Sequence, residues 1–186
     1  KPTIIWLRAF HSIYNPPLAP RALALISREF PEARMIMVGP DKGDGSLAKT
    51  KQEASRLKVL DRIEFPGGVP RAVVPKFLDR GDIFLNTTDV DNTPVSVLEA
   101  MASGLCVVST DVGGIPKLLT HEQDALLVPR DNPEAIAASV SRVLTERGLA
   151  GGLSQRGRKT AENSDWGAVL PQWMALLKEL NKEVRA

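Results

Sequence analysis

The chain has 186 residues, 43% of them hydrophobic, and a formal net charge of +2, which suits one well-buried core and is short for two. So small a charge, with three Trp, one Tyr and five Phe that are not interleaved with basic clusters, excludes nucleic acid as an expected partner. No apolar run approaches the roughly 20 residues of a membrane span and the first residues lack the order of a signal peptide, so a cytoplasmic protein is expected.

Taken in chain order, strand-length apolar runs alternate with helical patterns. Residues 3–7 read as a strand and 17–30 as a helix. Then come a strand at 34–38, a helix at 46–58, a strand at 62–65, a helix at 71–80, a strand at 82–86 and a helix at 94–103. A strand at 106–109, a helix at 115–120, a strand at 125–128 and a helix at 133–145 complete the series. This alternation predicts βαβ units on a parallel sheet covered on both faces: an α/β, doubly wound, three-layer α/β/α fold. Proline stands near the first turn of several helices, and Asp131, Asn132, Pro133 and Glu134 combine a cap, a proline and an acid beside the positive helix end. Cys106, the single cysteine, falls within an apolar run; it excludes an internal disulfide or a cysteine metal framework and reads as a core residue. After Thr145 a Gly-rich stretch leads to a polar helix ending near Ala161, and Ser164, Asp165 and Trp166 cap a last amphipathic helix to Lys182. These helices, from about residue 148, are additions to a finished sheet within a single domain spanning residues 1–186. The chain opens on Lys1 and Pro2 without an initiator Met, which points to a fragment.

Residues 91–116 carry the most chemistry. Asp91 and Glu99 lie eight positions apart on either side of a helix start, followed by a buried strand and the Gly113, Gly114 turn into a second helix. Pro94 fits the first turn of a helix, where its missing N–H costs nothing, and Asn92 or Thr93 can cap it. The unpaired N–H groups of that turn, around Thr93, Pro94 and Val95, then face a ligand at the loop. In an open parallel sheet ligands bind outside the carboxyl ends of the strands, which directs attention to residues 8–16, 39–46, 66–69, 87–93 and 111–114.

The string Asp91, seven residues, Glu99, then Ala100, Met101, Ala102, Ser103, Gly104, Val107, Val108 and Gly113, Gly114, Ile115, Pro116 resembles the donor-binding half of the retaining glycosyltransferases of family four, the group 1 type with GT-B architecture. The resemblance extends more loosely from the first strand to residue 144. It implies that Glu99 holds the ribose of a nucleotide diphosphate sugar and Asp91 the donor sugar, since a carboxylate accepts two hydrogen bonds from a diol. Asp91 stands where the family has the longer Glu. Arg8 matches the family's diphosphate-binding Arg and would stabilise charge on the leaving group. The Lys expected five residues later is Ile13; either His11, Tyr14 or Asn15 donates in its place, or the site binds a nucleotide weakly and catalyses poorly. Gly68 and Val69 match the place where the family packs the base against backbone, and two glycines after a strand also read as an ordinary turn. Lys117 stands where the family usually has Glu. The Gly-rich residues 39–45 fit neither a P-loop nor a dinucleotide fingerprint, and His121 reads as a surface turn.

The resemblance implies a glycosyltransferase domain that transfers a hexosyl group with retention of configuration and needs no cofactor or metal. Its acceptor, a sugar or lipid-linked sugar, would be held by an amino-terminal domain lying outside these residues. Peripheral membrane association concerns the full-length protein only. A non-catalytic nucleotide-sugar-binding or interaction module is the alternative, favoured by Ile13 and the shortened first acid. A phosphoacceptor receiver domain fails because Asp82 begins a strand rather than ending one.

Overall fold

The computed structural model describes residues 1–183. Six parallel strands run β1 (Thr3–Leu7), β2 (Arg34–Val38), β3 (Ile63–Gly67), β4 (Ile83–Asn86), β5 (Cys106–Thr110) and β6 (Leu126–Val128), ordered β3-β2-β1-β4-β5-β6 across the sheet. The helices are α1 (Leu18–Glu29), α2 (Ser46–Arg56), α3 (Val74–Leu78), α4 (Val95–Ala102), α5 (Ile115–Leu118), α6 (Pro133–Thr145), α7 (Leu149–Asn163) and α8 (Trp166–Glu183). The doubly wound, three-layer reading therefore holds.

Apart from the edge strand β3, which exposes Glu64, the strands are largely apolar on both faces, so alternate residues supply two cores. Ile4, Trp6, Met35, Met37, Ile83, Leu85 and Val108 pack with α1, α6 and Leu153 of α7. Ile5, Ile36, Val38, Phe84 and Val107 pack with α3, α4 and Ile115 of α5. The chain thus leaves β1 toward one face and β4 toward the other, although β1 and β4 are neighbours. Their pairing covers Ile4 with Ile83 and Ile5 with Phe84, so beyond Ile5 the two strands part and a crevice opens at the topological switch point.

Several expectations shift in detail. Arg62 belongs to a 3-10 turn at Leu60–Arg62, and β3 runs on to Gly67 through Pro66. Proline is tolerated because β3 is an edge strand, paired only with β2. The helix expected at 71–80 divides into a 3-10 turn, Arg71–Val73, and α3, whose start Pro75 marks. α5 stops at Leu118 because Leu119 is extended. Neither Asn92 nor Thr93 caps α4: its N-cap is Pro94, which has no side-chain acceptor, so the first N–H groups of the helix stay open toward the crevice.

α7 packs on α4 and β5. It is tied there by Ser154 Oγ donating to Gly104 O at 2.7 Å and by Thr160 Oγ1 donating to the buried Asp124 Oδ2 at 2.8 Å. α8 leaves the sheet: Trp166, Leu170, Trp173 and Leu177 are all at least half exposed. Among the described residues no helix is long and apolar enough to cross a membrane. Cys106 is a core residue, and burial pushes its thiol pKa up.

Candidate functional site

The crevice is a cleft of about 400 Å³ lined by Arg8, Tyr14, Gly39, Pro40, Val69, Arg71, Val95, Ser96 and Glu99, with Leu7, Val38 and Val74 beneath. Its walls are the loops leaving β1, β2 and β3 and the first turn and a half of α4. A smaller cavity of about 220 Å³ lies at the opposite edge of the sheet, where Arg34, Arg62 and Arg80 meet Asp61 and Glu64. There Arg80 is already paired with Glu64, and none of the groups singled out from the sequence is present.

Arg8 leaves β1 with its backbone N–H on Val38 O at 3.1 Å. Its guanidinium lies 4.4 Å over the Tyr14 ring and is ion-paired with Asp91. Burial holds its pKa below the ordinary guanidinium value. Gly39 makes the approach of β2 to Arg8 feasible, because a Cβ there would collide with the Arg8 carbonyl.

Residues 87–93 form a braced loop. Trp6 Nε1 donates to Thr87 Oγ1 at 2.8 Å, Thr87 Oγ1 donates to Tyr14 O at 2.8 Å, and Thr110 Oγ1 donates to Thr88 O. Asp91 Oδ1 accepts from the Asn92 N–H at 2.9 Å, and the Gly114 N–H donates to Asp91 O at 2.9 Å. A Cβ at Gly113 or Gly114 would strike the Asp91 or Asn92 carbonyl. The double glycine is therefore the seat on which Asp91 rests.

Glu99 projects from α4 into the same cleft, its side chain 30% exposed, with Arg71 Nε 3.6 Å away. Ser96 lies one turn before Glu99 and is buried. Arg8 Nη2 and Asp91 Oδ2 answer each other in the ion pair. Among the described residues four further buried polar side-chain atoms lack a hydrogen-bond partner, and two of them, Arg8 Nε and Ser96 Oγ, belong to this site. Native interiors satisfy such groups, so these two mark a place that can receive a polar ligand.

The sequence-selected residues divide into three sets. Arg8, Glu99, Val69 and Val95 line one cleft, and Asp91 adjoins it through Arg8. Gly68 stands next to that wall, packed against Pro40. Asn92 and Thr93 face a neighbouring cavity instead, while Pro94 is buried at the cap. His11 and Asn15 are occupied locally: His11 Nδ1 accepts from the Ile13 N–H at 3.3 Å, and Asn15 Nδ2 donates to Asp89 Oδ1 at 3.3 Å and Asp131 Oδ1 at 3.4 Å. The Asn15 amide is thus spent tying three loops together, and the cleft's second cation is Arg71. Sequence reasoning missed Arg71 and Ser96. Ser96 was accessible through its i, i+3 spacing to Glu99; Arg71 enters from a separate loop and left no signal. His121 Nδ1 accepts from the Leu127 N–H at 2.9 Å, a structural task.

A family model described as glycosyl transferases group 1 matches residues 1–160. The amylovoran biosynthesis glycosyltransferase AmsK of Erwinia amylovora is 36% identical over 108 residues, 54% of this chain and 26% of that protein. A GDP-mannose-dependent alpha-(1-6)-phosphatidylinositol monomannoside mannosyltransferase of Mycobacterium tuberculosis is 25% identical over 97% of this chain and 46% of its own length. The fold of Anabaena HepE, solved in complex with UDP, superposes with a TM-score of 0.87 at 19% identity, covering 95% of this chain and 48% of that one. Sucrose-phosphate synthase of Thermosynechococcus elongatus gives 0.84 at 21%, with 98% and 46% covered. The chain thus spans less than half the length of each of these proteins, and it belongs to the group 1 glycosyltransferases.

Proposed function

We propose that this chain is the donor-binding half of a glycosyltransferase that moves a hexosyl group from a nucleotide diphosphate sugar to an acceptor with retention of configuration. The observation that carries the reading is the single cleft uniting Arg8, Ser96 and Glu99, with Asp91 beside it and Arg8 Nε and Ser96 Oγ buried without a partner. In this reading the Glu99 carboxylate, which faces the cleft, accepts both hydroxyls of a ribose diol. Val69, Pro40 and Val95 offer apolar surface to a base. The open N–H groups of α4 and the Ser96 hydroxyl face the phosphates beside Arg8, where positive charge stabilises the departing diphosphate. Asp91, held against Arg8 beside the cleft, is the acid assigned to the donor sugar. In this reading no metal is required, because Arg8 supplies the counter-charge.

Transfer further requires an acceptor and a second wall to exclude water, both supplied by an amino-terminal domain in a two-domain GT-B enzyme working in the cytoplasm. Only the full-length protein would meet a membrane. A non-catalytic module is the second reading, favoured by Ile13, 42% exposed where a Lys is expected, and by the commitment of Asn15 to Asp89 and Asp131.

Calorimetric titration of the purified chain with UDP, GDP, ADP and the matching nucleosides tests donor binding. At least one diphosphate should bind more tightly than its nucleoside, and Arg8→Ala should remove that advantage while leaving nucleoside affinity near wild type. Equal losses for both would move the diphosphate elsewhere. Donor binding by the full-length protein, without transfer across a broad acceptor panel, would favour the module.

A further inference from the structure

The carboxyl edge of the sheet orders the subsites. Val69 and Pro40 lie at the ends of β3 and β2, Arg8 at the end of β1 and Asp91 in the loop after β4. A donor laid along this edge, base over β2 and β3 and diphosphate on Arg8, ends with its sugar past Asp91. The next feature along the edge is the turn after β5, and a second cavity of about 280 Å³ opens there, lined by Asn92, Thr93, Gly113, Gly114, Lys117 and Leu118.

This cavity has one sign of charge. Lys117 is exposed and, among the described residues, forms no ion pair; no acid lines the cavity. The nearest carboxylate singled out for the site, Asp91, is turned to Arg8. Asn92 and Thr93 do not spend their side chains on capping α4, so an amide and a hydroxyl stand beside the ammonium group. A site for an uncharged hexose would need only hydroxyl partners. This one adds a positive charge with three donors on a flexible stem, which suits a carboxylate carried on a sugar ring.

We propose that the cavity beside Lys117 is a subsite for a carboxylate on the donor sugar, making a nucleotide-linked uronic acid the preferred donor class. Lys117 is the counter-ion, and Asn92 and Thr93 supply hydrogen bonds. The inference rests on the donor-binding reading above.

The test compares UDP-glucuronate with UDP-glucose, and GDP-mannuronate with GDP-mannose, by calorimetry on this chain, with bare UDP and GDP measured on the same preparation. In the pair whose base is accepted, the uronate should bind about three- to fivefold more tightly at low ionic strength, as for one partly exposed ion pair. The ratio should shrink with added salt. It should fall to one in Lys117→Met and below one in Lys117→Glu; because it is internal to each protein, a change in folding does not imitate the result. If a bare diphosphate binds but wild type shows no preference, or the preference survives Lys117→Met, the subsite is overturned and the donor reading stands. If UDP, GDP and ADP all fail to bind, along with the four sugars, the donor reading falls and the subsite with it.

Discussion

Arg8 and Asp91 meet across the switch point between β1 and β4 as an ion pair, with side chains only 17% and 12% exposed. The cation offered to the diphosphate is therefore partly neutralised by the acid offered to the sugar. Arg8 keeps Nε without a partner, so its fork can serve a phosphate while one nitrogen stays with Asp91. Asp91→Asn should remove the neutralising charge and leave a mostly buried guanidinium uncompensated. Stability to urea should fall by about 1–3 kcal/mol. Affinity for the bare nucleoside diphosphate should rise, while the extra affinity contributed by the sugar is lost. Unchanged denaturation midpoint and diphosphate affinity together would show that the pair constrains nothing.

Glu99→Gln keeps the volume but gives up a charge-assisted acceptor, so nucleotide and nucleoside affinity should both weaken by roughly 1–3 kcal/mol in a calorimetric titration. Arg71 makes a useful contrast. Its 3.6 Å approach to Glu99 is made by a side chain 85% exposed, a geometry that adds little to folding. Arg71→Ala should change stability by less than about 0.5 kcal/mol.

The fold was legible because its cause is local: apolar runs such as Ile4 to Trp6 and Met35 to Val38 are buried on both faces, and the sequence shows that directly. The same holds for Asp91 and Glu99, whose spacing around a helix start survives into the cleft. What was hidden depends on which loops meet. Nothing near Asn15 announces that Asp89 and Asp131 will claim its amide. Nothing near Arg71 announces that the loop after β3 will bring it to Glu99. The cap on α4 lies one residue beyond Thr93 and two beyond Asn92 for a different reason. Pro94 takes the cap position with ψ near 110°, so Asn92 and Thr93 leave the helix end too early to bond its N–H groups, and they line the Lys117 cavity instead.

Acid should expose a second network, remote from the cleft. Glu53 accepts from Arg21 at 2.8 Å and from Arg56 at 2.8 Å, and the hydrogen bond from Arg56 leads the effects that pull its pKa from 4.5 to about 2. A carboxylate depressed on folding contributes stability that is present above its unfolded value and is lost as pH falls through the folded one. Glu53 should therefore contribute to a loss of stability between about pH 4.5 and pH 2. Comparing urea midpoints across that window, Glu53→Gln should start lower and show a shallower decline than wild type. Parallel curves would assign the acid sensitivity to other carboxylates, among them Asp44, which the Ser46 hydroxyl and then the Ser46 and Ser12 backbone N–H groups also hold well below its ordinary value.

Gly113 tests whether the β5 turn positions the site or merely closes the fold. It has φ of +55°, and a Cβ would run into the Asp91 carbonyl, the same oxygen that accepts from the Gly114 N–H at 2.9 Å. Gly113→Ala must then either strain the turn or push residues 91–92 away, at a cost of order 1–3 kcal/mol. Loss of stability alone would not discriminate, so a core variant of similar cost serves as reference. Val140 is fully buried in α6 against the opposite face of the sheet, and Val140→Ala should destabilise by a comparable amount through its cavity. With both variants well below their melting transitions, donor affinity should drop several-fold in Gly113→Ala and stay at the wild-type value in Val140→Ala, because only the first moves Asp91 relative to Arg8. Equal affinities in the two variants would reduce the double glycine to a turn and leave the placement of Asp91 to the threonine braces at positions 87, 88 and 110.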